Sequence, residues 1–207
     1  MQSAGLSFVV LLSAASLAGA QDAGRPPAAG SAQSKPKAPE RKPVTPPRPN
    51  TISDLFERLE AARDEVEGKG IAAQIERRWM RSGSDTADLL MSRAGEAVEQ
   101  RDFALAVELL DRVLVLEPRW AEAWSRRASV FYLLDDPVSA IADLHQALTL
   151  EPRHFNAWAA LGHIYMASDD KTRALEAYHR SLKLHPQQEN LRARVERIFP
   201  KVEGMRL

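Results

Sequence analysis

RWAEAWSRRASVFYLLDDPVSAIADLHQALTLEP (residues 119–152) is followed directly by RHFNAWAALGHIYMASDDKTRALEAYHRSLKLHP (residues 153–186). Set one above the other, these two 34-residue lines agree column by column. Both close on proline, Pro152 and Pro186, and Pro118 stands one period earlier. Each proline ends a Leu-x-Leu-x-Pro run: Leu114 and Leu116, Leu148 and Leu150, Leu182 and Leu184. Twelve residues before each proline stands a small side chain (Ala106, Ala140, Ala174), and eight before it a large one (Leu110, Leu144, Tyr178). Six residues after Pro118 and Pro152 come Trp124 and Trp158. Each Trp has a small residue four later (Ala128, Gly162) and a ring seven later (Phe131, Tyr165).

These spacings predict paired helices. Positions i, i+4 and i+7 line one helical stripe, so Trp124, Ala128 and Phe131 share a face, as do Trp158, Gly162 and Tyr165. Ala140, Leu144 and Leu148 form the facing stripe of a second helix. The small side chains Ala128, Gly162, Ala140 and Ala174 let the two backbones approach. Proline ends the second helix or opens the next unit, because it cannot donate to a continuing ladder. Short polar stretches, such as Leu134-Asp135-Asp136-Pro137 and Ser168-Asp169-Asp170-Lys171, separate the two helices of a unit. The aspartate pairs in them read as turn and N-cap residues.

With its 34-residue period, Trp, small residue, ring, Ala and closing Pro, the chain resembles the tetratricopeptide repeat family. The match covers three units, 87–118, 121–152 and 155–186. The first is the most divergent, with Leu90, Ala94 and Ala97 in the Trp, small and ring columns. Arg93 and Arg127 also stand where the family prefers Leu. The resemblance implies an all-α helical solenoid over residues 83–200, with a concave surface lined by the first helix of each unit.

Around this stack the chain divides further. Ile52, Leu55, Phe56, Leu59, Ala62 and Val66 follow a helical period, with Ser53 as the expected N-cap. Gly68 and Gly70 are the expected break, after which Ile71, Ile75 and Trp79 resume the period. Residues 51–82 are thus expected to form an N-terminal helical hairpin capping the stack, with Trp79 in its core. The run from Glu76 to Ala94 is similar to a segment preceding the repeats in exported repeat proteins of alphaproteobacteria. Leu191, Val195 and Ile198 predict a capping helix over 187–199 with a polar outer side. At the other end, residues 1–20 carry no charge, and a 12-residue apolar run, Leu6 to Leu17, precedes Ala18-Gly19-Ala20. That pattern predicts a signal peptide cleaved after Ala20 and a periplasmic location, although Met1 to Gly5 hold no Lys or Arg. Residues 21–50 are poor in large apolar side chains and rich in proline, so they read as a linker rather than a domain.

Chemistry is sparse. The chain has no cysteine, which excludes thiol nucleophiles and thiolate metal sites. No phosphate-cradling glycine loop, H-E-x-x-H or G-x-S-x-G occurs. His145 and His179 occupy equivalent sites in neighbouring units, but no further ligand accompanies them, so no metal and no cofactor is expected. Ser129 and His163 are equivalents across a joint. They lack an orienting carboxylate and an oxyanion hole, so no catalytic residue is expected.

The expected functional surface is the groove. The stripe beside Trp124 is Ser125, Ser129 and Tyr132, with His163 and Met166 as third-unit equivalents and Met91 in the first. Arg126 and Asn156 flank it. Some members of the family clamp a C-terminal carboxylate with Lys, Asn and Arg of the first helices. Met91, Gly95, Arg126, Asn156 and Ala160 stand at those places here, so that clamp is not expected. Trp120, at an inter-unit joint, is expected to be partly exposed.

Net charge refines the reading. The chain is formally neutral, but residues 21–50 carry six basic and two acidic side chains, and residues 51–207 carry 22 basic and 26 acidic. A +4 arm is therefore joined to a −4 stack. Neutrality gives no reason to expect a nucleic-acid partner. The preferred reading is an exported, non-catalytic adaptor that binds a protein or peptide in its groove. The alternatives are an envelope tether acting through the basic arm in weak contact with anionic material, and an enzyme or enzyme subunit.

Overall fold

The computed structural model describes residues 51–203, and side chains as far as Pro200. The expected signal peptide and linker lie outside the described residues. Nine α-helices and no strand occur among the described residues: α1 (Ile52–Glu60), α2 (Glu65–Trp79), α3 (Asp85–Glu99), α4 (Phe103–Leu116), α5 (Ala121–Leu133), α6 (Pro137–Leu150), α7 (Phe155–Ala167), α8 (Lys171–Leu184) and α9 (Glu189–Glu203). The three units are α3–α4, α5–α6 and α7–α8, and each also packs on the next, with α9 closing the far end against α8. None of these helices is long and apolar enough to cross a membrane.

The turn inside each unit is built three times from the same parts. Arg101, Asp135 and Asp169 adopt positive φ of 61°, 61° and 57°. Asx residues tolerate this left-handed conformation better than most. The next N–H reaches back to the last turn of the first helix, Asp102 to Ala97 O, Asp136 to Phe131 O and Asp170 to Tyr165 O. That is a Schellman closure of the first helix. The same aspartates then cap the second helix, their carboxylates accepting from the N–H of Leu105, Ser139 and Arg173. One residue thus ends one helix and starts the next, as the sequence pattern implied.

Packing follows the predicted columns. Ala128, Ala140, Leu144, Ala174 and Tyr178 are fully buried, and Gly162 and Tyr165 are buried with them. Burying a side chain such as Tyr178 or Leu144 contributes roughly 1.5–3 kcal/mol. Trp124, Trp158 and Phe131 sit differently from expectation. They are half-buried, at the edge of the core rather than inside it. The indole N–H groups donate to Pro118 O (2.9 Å) and Pro152 O (3.0 Å), so each Trp ties its helix to the preceding joint.

The N-terminal hairpin departs most from expectation. Thr51, not Ser53, is the N-cap of α1, in a reciprocal capping box with Asp54. The break falls at 61–64, where Asp64 caps α2, and Gly68 and Gly70 lie inside that helix. Val66, at the start of α2, is 82% exposed instead of lining the core. The hairpin core of Leu55, Leu59, Ile71, Ile75 and Trp79 is completed by Phe155 and Leu184 of the third unit. The hairpin is therefore not a leading cap on α3. It straps across the joints between units. Trp120 Nε1 donates to Trp79 O (2.6 Å), Asn156 Nδ2 to Glu76 Oε1 (2.8 Å) and Gln187 Nε2 to Ala62 O (2.8 Å). The Trp79 ring stacks on His154 at 4.3 Å. Trp120, expected at the surface, is only 8% exposed because α2 covers it.

Candidate functional site

The first helices α3, α5 and α7 present their stripe to a concave surface. Met91, Ser125, Arg126, Ser129 and Asn156 line one cavity of about 580 Å³, bounded mainly by the first and second units and closed by the start of α7. Tyr132, His163 and Met166 line a shallower hollow next to Arg194 of α9. All eight side chains predicted for the groove thus reach its two depressions. Ser129, Tyr132 and His163 also share a smaller apolar recess with Ala160 and Ile164. Tyr132 is 44% exposed, a large ring left in solvent on a face where Ser129 and His163 are exposed as well.

The cavity's polar side chains are mostly engaged. Glu122 is buried under the hairpin end, and its Oε1 accepts from Arg126 Nε at 2.6 Å. Its Oε2 lies 3.0 Å from His154 Nε2. His154 Nδ1 accepts the Ala157 N–H that opens α7, so the ring proton sits on Nε2 and faces the carboxylate. Burial opposes ionisation of Glu122, yet the His154 hydrogen bond and the neighbouring charges outweigh it and hold the carboxyl below its ordinary range. Asn156 is held by Glu76, and an Arg126 nitrogen lies 3.3 Å from the Met80 sulfur. Met80, just past α2, thereby becomes part of the cavity wall.

The nucleophile arrangement considered from sequence does not form. Ser129 Oγ donates to the Ser125 carbonyl of its own helix, and His163 Nδ1 lies 2.8 Å from Tyr178 Oη. His163 is held below its ordinary pKa by partial burial and by the Arg194 charge. His145 and His179 are not joined by further ligands, and among the described residues no three metal-ligating side chains converge.

Sequence reasoning missed Met80, His154, Glu96, Glu99 and Leu133, which all line the larger cavity. Glu99 carried a usable signal: it follows Met91 by eight residues and Gly95 by four, on one helical stripe, with Glu96 one turn before it. Met80 and His154 carried none, because the docking of the hairpin brings them there.

Helix pairs stacked around a shared inner groove define a solenoid scaffold, a class that works by presenting a surface. Residues 131–197 match the family model described as tetratricopeptide repeat. A TPR repeat-containing protein of Rhizobium etli is 33% identical over 93 residues, covering 45% of this chain and 46% of that protein. The chain therefore spans about half the length of this curated relative. Among solved structures, the first TPR of Spaghetti bound to the HSP90 peptide SRMEEVD is similar, with a TM-score of 0.55 at 20% identity, over 58% of this chain and 95% of that one. The Sgt2 TPR domain from Aspergillus fumigatus gives a TM-score of 0.55 at 22% identity, over 59% and 83%. The described helices have the tetratricopeptide repeat fold.

Proposed function

We propose that this protein is a non-catalytic adaptor that binds a peptide or protein segment in the groove of α3, α5 and α7. The observation that carries the reading is the continuity of the predicted stripe with two concave depressions across all three units. Exposed Tyr132 and half-buried Met166 supply apolar contact, while Ser125 and Ser129 supply small polar walls. The Spaghetti domain, similar in fold, is bound to a peptide, which supports a peptide-sized occupant here. The reading extends to location: the apolar run and Ala18-Gly19-Ala20 support export to the cell envelope, with the mature chain starting at Gln21.

A photo-crosslinking residue placed at Ser129 or Met166 is expected to trap a partner in envelope extract, and one at convex Thr149 is not. Tyr132→Ala with Met166→Ala should abolish the trapped band while leaving helicity intact. A band that survives those substitutions but vanishes when residues 21–50 are deleted would transfer the function to the basic arm. For location, mass spectrometry of the mature protein is expected to find Gln21 first; a product retaining Met1 overturns cleavage.

A further inference from the structure

We propose that the cavity between the first two units selects a segment carrying a lysine or arginine beside an aliphatic side chain; this rests on the groove reading above. The cavity floor is apolar, formed by Met91, Ala94, Leu110 and Val130, with Met80 and Leu133 at the rim. Unbranched methionines at floor and rim adapt to side chains of different shape. Four charged side chains line the same space: Glu96, Glu99, Glu122 and Arg126. Two of them cancel. Arg126 is bound to Glu122 at 2.6 Å, and the other Glu122 oxygen faces His154. The Arg126 charge is therefore already offset, and an incoming carboxylate would have to share its half-exposed guanidinium with a buried internal one.

Glu96 and Glu99 remain. They stand three residues apart on α3, so they share a face, and both are exposed. Neither has a hydrogen-bond or ion-pair partner among the described residues. The wall of the cavity that belongs to the first unit is thus an uncompensated acidic edge above an apolar floor. At the opposite end of the groove the sign reverses, because Arg194 lines the hollow beside Met166. A bound segment is oriented by this gradient, its basic residue over α3 and its aliphatic side chain in the cavity. Apolar burial supplies most of the affinity, and the two carboxylates supply the choice of partner and the speed of encounter.

The test is a random peptide display selection on the full chain, with a Ser129→Trp chain, whose indole fills the cavity, as counter-selection. Peptides enriched on the native chain are expected to place Lys or Arg within two residues of Leu, Ile, Met or Val. A fluorescein-labelled copy of the strongest such peptide should bind roughly fivefold to tenfold more weakly to the E96Q/E99Q variant, a loss equal to two partly exposed ion pairs. Its affinity for the native chain should also fall with added salt. Enrichment of acidic or uncharged peptides that fail on the Ser129→Trp chain overturns the basic preference and leaves the groove reading standing. No peptide preferred over the blocked chain overturns both. Should Ser129→Trp lower helicity, the E96Q/E99Q chain serves as the counter-selection, since its substitutions lie on an exposed helix surface, and an enriched pool without basic residues overturns the proposal there too.

Discussion

Gly162 shows how much a single column decides. A Cβ added there would lie 2.3 Å from the Tyr178 ring, which is itself fully buried. Gly162→Ala is therefore expected to destabilise by about 1–3 kcal/mol through overpacking. Gly70 lies mid-helix, and a methyl added there would have no neighbour within 4 Å, so Gly70→Ala should stabilise by about 1 kcal/mol. Urea denaturation of the two variants checks the contrast in sign. The need for a small residue at 162 was legible from spacing alone, because it follows Trp158 by one helical turn. The Glu122–His154 pair was not legible: its partners are 32 residues apart, and only the seating of one unit on another joins them. Titration gives a second check at this scale. Burial holds His163 and His185 below the usual histidine value of 6.5. Each takes up its proton at a lower pH in the folded chain than in the unfolded one, so the unfolded chain binds protons first as pH drops. Their contribution is complete above that value and is lost as pH falls through it. Glu122, held below 4.5, adds a further loss at lower pH. The urea midpoint is expected to fall between about pH 7 and about pH 5.5, and more gently in a His163→Gln/His185→Gln chain.

Elements are placed by contacts that periodicity does not encode. Both helices of the hairpin were legible as helices, since Leu55, Leu59, Ile71, Ile75 and Trp79 repeat at helical intervals. Where the hairpin docks was not, because an apolar stripe says only that something covers it. One clue was present. The column of Ala87 and Ala121 holds Phe155 in the third unit, a ring where the fold asks for a methyl. That extra ring is what the hairpin buries, against Phe56 at 6.5 Å and Trp79 at 5.1 Å. The glycine that read as a helix break serves the same docking. A Cβ on Gly68 would approach Gln187 Cβ to 2.8 Å, so glycine there lets α2 lie close to the end of α8. Gly68→Leu should lift the hairpin from the third unit at a cost of about 1–3 kcal/mol. Hydrogen exchange is expected to show faster exchange over α1 and α2, with α5 to α8 still protected; uniform exchange throughout would show that the hairpin is not a separable strap.

Across the described helices, stability depends on how strongly each joint couples its neighbours, because repeat stacks are nearly one-dimensional. The first unit has the weakest claim to protection. Leu89 is 56% exposed, whereas Ala123 and Ala157 in the same column are 0% exposed, each covered by the preceding unit. Nothing described packs on that side of α3 in the way α4 packs on α5. What holds the first unit is the joint behind it, and Arg127 is the centre of that joint. Its guanidinium bonds Asp111 of α4 at 2.6 Å and Asp143 of α6 at 2.7 Å, while lying over the Trp124 ring. Arginine in a column where the family prefers leucine is thus an ionic replacement for an apolar joint. Asp143 is almost fully buried, and without Arg127 it is a buried charge with no counterion. Arg127→Ala is expected to destabilise by about 3–5 kcal/mol, whereas Arg127→Leu with Asp143→Leu removes both charges and should be near neutral or stabilising. In Arg127→Ala the first unit should also unfold before the rest. Circular dichroism and hydrogen exchange of the amides of α7, both followed through urea, would then report separate transitions, while the native joint gives coincident ones. Coincident transitions in Arg127→Ala would mean that the hairpin bond from Trp120 to Trp79, not the ion pair, couples the first unit to the others.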